Sequence, residues 1–143
     1  MAVVPGAEPW SSDGDGTGVL VIHGFTGSPA SVVPWARELA ARGWTVRVPR
    51  LPGHGTRWQD MNLTTWHDWY AEVDVAYREL AARCSQVFVM GLSMGGTLTL
   101  RLAEVHGDSI AGIVLVNPSV HTERIDRFAL PVVQRFIASF PGI

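Results

Sequence analysis

The 143 residues are enough for one domain that buries a substantial hydrophobic core. All eleven basic residues are arginines spread singly along the chain, against thirteen acidic residues, so no basic stripe marks a nucleic-acid-binding surface. The single cysteine, Cys84, excludes an internal disulfide framework, and no apolar run reaches the roughly 18 residues that indicate a membrane span.

The beginning of the chain predicts little regular structure. Residues 1–16 are rich in Gly, Pro, Ser and Asp, a composition that favours an N-terminal tail or a short edge element. This stretch has neither a positively charged start nor a long apolar segment, so it does not have the pattern of a signal peptide. We therefore expect a cytoplasmic location.

Four short apolar runs follow, and each has the composition of a buried strand. They lie at residues 18–22, 44–48, 87–90 and 110–116. The runs are continuous and rich in β-branched residues, as strands covered on both faces are. Helical patterns separate them. This alternation predicts an α/β fold in which crossover helices flank a parallel sheet.

The segments between the predicted strands carry helix signals. Ser28 and Pro29 suit the cap and the first residue of one helix, and Gly43 suits its end. Thr65 and Asp68 have the spacing of a capping box, which predicts the start of a second helix. The apolar face of that helix indicates core packing rather than a cofactor site. Its residues are Trp66, Trp69, Tyr70, Val73, Tyr77 and Leu80.

Three glycine-containing loops follow the first three predicted strands. They are HGFTGSP at residues 23–29, LPGHGT at residues 51–56 and GLSMGG at residues 91–96. In open parallel sheets, ligands bind outside the carboxyl ends of the strands. We therefore expect these three loops to form the site.

The third loop contains the pattern G-x-S-x-G as Gly91, Ser93 and Gly95, between an apolar strand and a helical pattern. In a nucleophile elbow the serine is held in a strained backbone conformation, and side chains at the two glycine positions would collide as strand meets helix. Ser93 is therefore the candidate nucleophile. The alternative interpretation is a serine helix cap in a glycine-rich turn. A phosphate-binding loop is disfavoured because the chain contains no lysine.

The first loop supplies a candidate oxyanion hole. If the first and third strands are neighbours, the backbone N–H groups of Phe25 and Met94 can converge on one substrate oxygen. The Phe25 ring can also line the pocket wall. We interpret His23 as a structural loop residue rather than a general base, because it precedes the donor loop and has no acid partner in the pattern, and we interpret His54 in the same way.

The remaining histidines give no ligand set. His67 and His106 fall on, or at the end of, predicted helices, and we expect them to face solvent. No spacing typical of metal ligands is present. We therefore expect neither a metal nor a cofactor.

In this order, HGFTG, LPGHGT and GLSMGG resemble the α/β-hydrolase superfamily, and most closely its bacterial carboxylesterase and monoacylglycerol lipase-like branch. The resemblance covers roughly residues 17–119. It implies a serine hydrolase in which Ser93 attacks the carbonyl of a small-molecule ester and forms an acyl-enzyme. It also implies that Phe25 and Met94 donate to the oxyanion, and that a small cap covers the site.

Part of that family's pattern is missing. Its triad acid and histidine follow the nucleophile on loops after later strands, whereas residues 17–118 match only the N-terminal half of such a core and residues 119–143 predict the start of a cap helix. The apolar positions of that helix are Val132, Val133, Phe136, Ile137 and Phe140. We therefore expect a truncated chain that lacks the triad acid and histidine and is not a competent esterase alone. His121, with Glu123 or Asp126 nearby, is a weaker candidate to replace them.

The last predicted strand, at residues 110–116, has no predicted neighbour on its far side. Such an open apolar edge favours self-association. Two other interpretations stay open, a non-catalytic hydrolase-fold protein that binds a small ligand and an inactive gene fragment. Among enzymes, a thioesterase, a lactonase and a peptidase are not distinguished from an esterase.

Overall fold

A computed structural model describes residues 2–121 of the chain. Its strands are β1 (Trp10–Ser12), β2 (Thr17–Ile22), β3 (Thr45–Val48), β4 (Gln86–Leu92) and β5 (Gly112–Val116). Its α-helices are α1 (Val33–Ala40), α2 (Trp58–Met61), α3 (Trp66–Ala81) and α4 (Met94–His106). Short 3-10 helices occupy Pro29–Ser31 and Gly107–Ser109. The predicted cap helix lies outside the described residues.

The strands form one sheet in the order β1-β3-β2-β4-β5. β2 to β5 are parallel, as predicted, but β1 pairs antiparallel with β3, so the sheet is mixed. The four predicted strands are thus parallel to one another, the alternative of a short edge element within residues 1–16 is confirmed, and this edge strand runs antiparallel for a physical reason. The reason is the length of the connection. Residues 13–16 are too few for the crossover that parallel strands need, so the chain reverses direction between β1 and β2.

Helices cover both faces of the central strand. Leu20 and Ile22 of β2 belong to one core cluster, and Val19 and Val21 belong to another on the opposite face. α3 and α4 contribute Val73, Tyr77, Leu80, Leu98 and Leu102 to the first cluster. α1 contributes Ala36 to the second. Because β2 is buried on both sides, its continuous apolar sequence is explained.

α3 begins where the sequence predicts. The Thr65 backbone N–H donates to Asp68 Oδ2 over 2.7 Å, and the capping box is complete. The predicted apolar face is confirmed, since Val73, Tyr77 and Leu80 are buried in the first core cluster. The remaining members of that face are partly buried and pack against the same cluster. They are Trp66, Trp69 and Tyr70.

The first helix begins later than predicted. Ser28 makes no side-chain cap bond, and Pro29 starts a three-residue 3-10 helix instead of an α-helix. α1 follows at Val33, with Pro34 in its first turn. Pro34 has no N–H to donate to the preceding turn, so an α-helical bond pattern cannot run through this position and the helix starts beside it. Gly43, with φ of 88°, follows the end of the helix, as predicted.

Candidate active site

Ser93 occupies the turn between β4 and α4, so the predicted order of strand, turn and helix is confirmed. Its backbone has φ of 53° and ψ of −118°, a conformation that an L-residue adopts only under constraint. The Ser93 N–H donates to the Val116 carbonyl over 2.8 Å, and the Ser93 carbonyl accepts from the Gly96 N–H over 2.9 Å. These bonds hold the strained residue from β5 and from α4.

The two glycines of the elbow are required by close packing of backbone. A Cβ on Gly91 would lie well under 3.0 Å from the Gly95 carbonyl group. A Cβ on Gly95 would meet the carbonyl oxygens of Ile22 and His23, the latter at 2.7 Å. The start of α4 is therefore pressed against the ends of both β4 and β2, and no side chain fits at either glycine.

The loop after β2 lies against the elbow. β2 and β4 are neighbours, with Ile22 opposite Gly91 at their carboxyl ends. A Cβ on Gly24 would be 3.3 Å from Ser93 Cβ. The structure therefore brings two of the three predicted loops together around the Ser93 side chain.

The candidate oxyanion donors occupy the two loops that meet. Phe25 is in a turn closed by the Gly27 N–H, which donates to the Gly24 carbonyl over 3.1 Å, and Thr26 in that turn has φ of 60°. Met94 is the first residue of α4, so its N–H has no partner within the helix. Within residues 2–121, neither the Phe25 nor the Met94 N–H donates to a protein acceptor. Their role as oxyanion donors stays a prediction.

His23 is buried beneath this loop, and backbone groups engage both ring nitrogens. Its Nδ1 lies 3.0 Å from the Gly24 carbonyl oxygen, and its Nε2 accepts the Leu51 N–H over 3.2 Å. Burial lowers the pKa of His23 to about 4, and the nearby His54 and Arg50 add to that effect. His23 is therefore neutral near pH 7, and because backbone groups engage both of its ring nitrogens it is not available as a general base, in agreement with its interpretation as a structural residue.

His54 is also buried, and it joins the second predicted loop to the first. Its Nδ1 lies 3.1 Å from the Pro52 carbonyl oxygen, and burial lowers its pKa. Its ring centroid is 5.9 Å from that of Phe25 and 5.2 Å from those of His23 and Trp69. We call these four rings the aromatic cluster. No single sequence pattern predicts this cluster, although each of its histidines precedes a glycine in a loop that follows a strand.

The remaining histidines, His67, His106 and His121, form no hydrogen bond to Ser93 within the described residues. His67 is exposed, as predicted. The prediction for His106 is wrong, since its side chain is only 12% exposed, its Nε2 lies 2.5 Å from Asp74 Oδ1, and its ring packs on Tyr77. Packing of α3 against α4 supplies both partners, and the sequence of α4 alone does not show it. His121 is exposed, and within the described residues it forms no hydrogen bond to Ser93.

Two further expectations concern metals and membranes. Among residues 2–121, no three His, Cys, Asp or Glu side chains are grouped so that they could bind a metal ion. In the same part of the chain, every helix is too short or too polar to cross a membrane.

A serine in a strained turn between a parallel strand and a helix, beside a loop from the adjacent strand, is the arrangement of an α/β-hydrolase. The family model of the α/β hydrolase fold matches residues 18–142. The chain therefore belongs to the α/β-hydrolase family, and the resemblance seen in its three loop motifs is confirmed.

Similar proteins of this family are lipases and esterases. Over 118 residues, 82% of this chain and 47% of the relative, the chain is 54% identical to a thermostable monoacylglycerol lipase of Bacillus sp. (strain H-257). It is 33% identical to a carboxylesterase of Bacillus subtilis (strain 168) over 80% of this chain and 46% of the relative. The chain thus spans about half the length of these curated relatives.

A solved structure has a similar fold over nearly the whole chain. It comes from work on LipS and LipT, two metagenome-derived lipolytic enzymes, and it superposes with a TM-score of 0.94 at 45% identity. The alignment covers 99% of this chain and 58% of that structure.

Proposed function

We propose that the protein is a serine carboxylic ester hydrolase that cleaves small-molecule esters, in the class of monoacylglycerols or esters of short to medium acyl chains. The observation that carries the proposal is the strained conformation of Ser93, with φ of 53°, at the carboxyl edge of the sheet. Such strain persists only where the surrounding structure enforces it, and it is typical of functional sites. The named activities of the similar proteins support the substrate class.

In the proposed reaction, Ser93 Oγ attacks the ester carbonyl carbon while a general base takes the hydroxyl proton. The carbonyl oxygen becomes an oxyanion, to which the Phe25 and Met94 N–H groups donate. The intermediate then expels the alcohol, which leaves with a proton from the protonated base, and an acyl-enzyme remains. Water attacks the acyl-enzyme by the same route and releases the acid. The positive end of the α4 dipole favours the oxyanion.

Within residues 2–121, no side chain that could act as the general base is hydrogen-bonded to Ser93 Oγ. The chain has five histidines, all within the described residues, and none of them is hydrogen-bonded to Ser93 Oγ. We propose that the triad histidine and acid are not residues of this chain, so that the 143 residues alone are not a competent esterase. His121 is the weaker alternative. The test is to assay the 143-residue chain as a soluble monomer. Turnover near 10 s⁻¹, about the median for enzymes, would contradict the proposal if the Ser93→Ala substitution abolished it.

A non-catalytic binding protein is the second candidate, and the same lack of a base at Ser93 favours it. In this and the following experiments, the full-length protein means the protein that contains this chain together with any further residues that complete it. The two candidates are distinguished by reacting that protein with a fluorophosphonate probe and by assaying its hydrolysis of p-nitrophenyl butyrate. A hydrolase is labelled at Ser93, and Ser93→Ala abolishes both labelling and turnover. Ser11→Ala is the matched control, because Ser11 is an exposed serine on β1. Labelling that survives Ser93→Ala would exclude the assignment.

Two expectations from the sequence also stay proposals. In the described part of the chain, β5 pairs only with β4, and Ile113 and Val114 on it are exposed. We propose that this edge mediates self-association of the chain. The cytoplasmic location is a prediction from the sequence alone.

A further inference from the structure

The Phe25 N–H and the Gly24 carbonyl belong to one peptide group. That group is planar and trans, so its N–H and C=O bonds point in opposite directions. Whatever holds the Gly24 carbonyl oxygen therefore also sets the direction of the Phe25 N–H. Among the described residues, two groups lie within hydrogen-bonding distance of this oxygen, namely His23 Nδ1 at 3.0 Å and the Gly27 N–H at 3.1 Å.

The His23 ring is itself held from the neighbouring strand. Its Nε2 accepts the N–H of Leu51, a residue that follows β3. A ring that accepts through Nε2 and donates to a carbonyl through Nδ1 exists in only one form, the neutral imidazole with its hydrogen on Nδ1. The rigid ring thus connects the segments after two adjacent strands and joins the Gly24 carbonyl to the sheet. The Gly27 bond, in contrast, lies within the turn itself.

We propose that His23 is a positioning residue, whose Nδ1–H bond to the Gly24 carbonyl directs the Phe25 N–H toward the space beside Ser93. The inference rests on the proposed function, because Phe25 is an oxyanion donor only in that function. The closeness of Gly24 to Ser93 supports it, since a Cβ there would be 3.9 Å from Ser93 Oγ. A peptide this close to the nucleophile affects catalysis through its orientation.

Burial keeps the ring in the required form. His23 is fully buried, and this burial lowers its pKa to about 4, so the neutral form predominates at neutral pH. Among the described residues, the titratable groups whose charges lower its pKa are His54 and Arg50, because a positive charge on either opposes its protonation. A proton on Nε2 would place two donors against each other, because Leu51 N–H already points at that atom.

Two variants separate the two bonds of the ring. In His23→Asn, the side-chain Nδ2 lies near the position of Nδ1 and can still donate to the Gly24 carbonyl. In His23→Gln, Oε1 lies near the position of Nε2 and can still accept from Leu51. Both variants bury the same amide group and lose one of the two bonds, so they form a matched pair.

The first measurement is steady-state hydrolysis of p-nitrophenyl butyrate by the full-length protein. Loss of an oxyanion donor lowers kcat by about 10²–10³, and a misdirected donor retains part of its effect. We expect kcat to fall roughly 10–100-fold in His23→Gln but to stay within about 3-fold in His23→Asn, with KM nearly unchanged in both. Equal losses of kcat in the two variants, or losses in KM alone, would overturn the proposal.

The second measurement does not require turnover. NMR of the Phe25 amide nitrogen and the Gly24 carbonyl carbon reports the orientation of their shared peptide. We expect both signals to move in His23→Gln and to stay close to wild type in His23→Asn. The two proposals can fail separately. Absence of esterase activity in the wild-type protein would contradict the proposed function. Unchanged Phe25 and Gly24 signals in His23→Gln would contradict the positioning role of His23. If His23→Gln does not fold, the test is NMR of the His23 ring nitrogens in the wild-type protein. Signals that place the ring hydrogen on Nε2 instead of Nδ1 would contradict the proposal.

Discussion

Gly24 lies against Ser93, so closely that a Cβ at position 24 would be 3.3 Å from Ser93 Cβ and 3.9 Å from its Oγ. The two residues belong to loops that follow adjacent parallel strands, β2 and β4. In the proposed reaction, the glycine leaves open the space in which the substrate carbonyl approaches the Ser93 hydroxyl. The missing side chain is therefore a feature of the site and not only of the turn.

We predict that Gly24→Ala lowers kcat/KM by about 10–100-fold, because displacement of reacting groups by a fraction of an ångström to 1 Å can cost up to about 10²-fold. The new methyl group would also meet the Leu92 carbonyl oxygen at 3.3 Å, so a small loss of stability is expected. Gly16→Ala is the matched control. Its Cβ would be 3.1 Å from Ser85 Oγ, a similar crowding at the other end of the sheet. An equal loss of activity in Gly16→Ala would show that the effect is not local.

The strained backbone of Ser93 predicts that this residue lowers the free energy of unfolding while it serves the proposed activity. Backbone strain of this kind costs about 1–3 kcal/mol, and glycine adopts positive φ without it. The relief of strain in Ser93→Gly is offset in part by the entropic cost of glycine, about 0.5–1 kcal/mol. We therefore expect the free energy of unfolding of Ser93→Gly to exceed that of Ser93→Ala by roughly 1 kcal/mol. Both variants should be inactive. Urea denaturation of the two proteins side by side measures the difference, and a less stable glycine variant would argue against stored strain.

The low pKa of His23 predicts a pH dependence of stability. Burial lowers that pKa from 6.5 to about 4, so between these values the unfolded chain binds a proton that the folded protein excludes. The free energy of unfolding should therefore fall as the pH falls from 6.5 to 4, by roughly 3 kcal/mol from this group, at about 1.4 kcal/mol for each pH unit. Above pH 6.5 the contribution should be constant.

The measurement is urea denaturation of the wild type and of His23→Asn at several pH values between 4 and 7. Carboxylates also titrate near pH 4, in both proteins alike. The difference in the free energy of unfolding between the wild type and His23→Asn therefore isolates the contribution of His23. We expect that difference to shrink as the pH falls, because the neutral amide has no proton to bind. Parallel curves for the two proteins would show that His23 is not the group responsible.

The sequence predicts the elements around the site well, because each has a strong local signal. The strand before Ser93, the glycines at positions 91 and 95, and the capping box at Thr65 depend on neighbours in the chain, and the structure has them in place. β1 was predicted less well. A strand of three residues shows no periodicity, and only its pairing with β3 defines it.

Contacts between distant segments could not be predicted. The bond from Leu51 N–H to His23 Nε2 joins residues 28 positions apart, and neither loop motif shows it. The pairing of His106 with Asp74 likewise depends on how α4 packs against α3. Local chemistry predicts the positions of single residues and the structural character of His23, whereas the partners that hold the His23 and His106 rings are defined only by the folded contacts.

The exposed apolar residues of β5 allow a test of self-association. Val114 is 48% exposed on the strand that pairs only with β4 within the described residues. Unpaired backbone groups and apolar side chains at such an edge can template pairing with a second chain, and a charged side chain opposes it. We expect the 143-residue chain to form dimers or larger species and Val114→Lys to shift it toward the monomer, as measured by light scattering over a range of concentrations. Val105→Lys is the matched control, since Val105 is equally exposed at 48% but lies on α4. An unchanged distribution in Val114→Lys, or the same shift in both variants, would exclude the β5 edge as the contact surface.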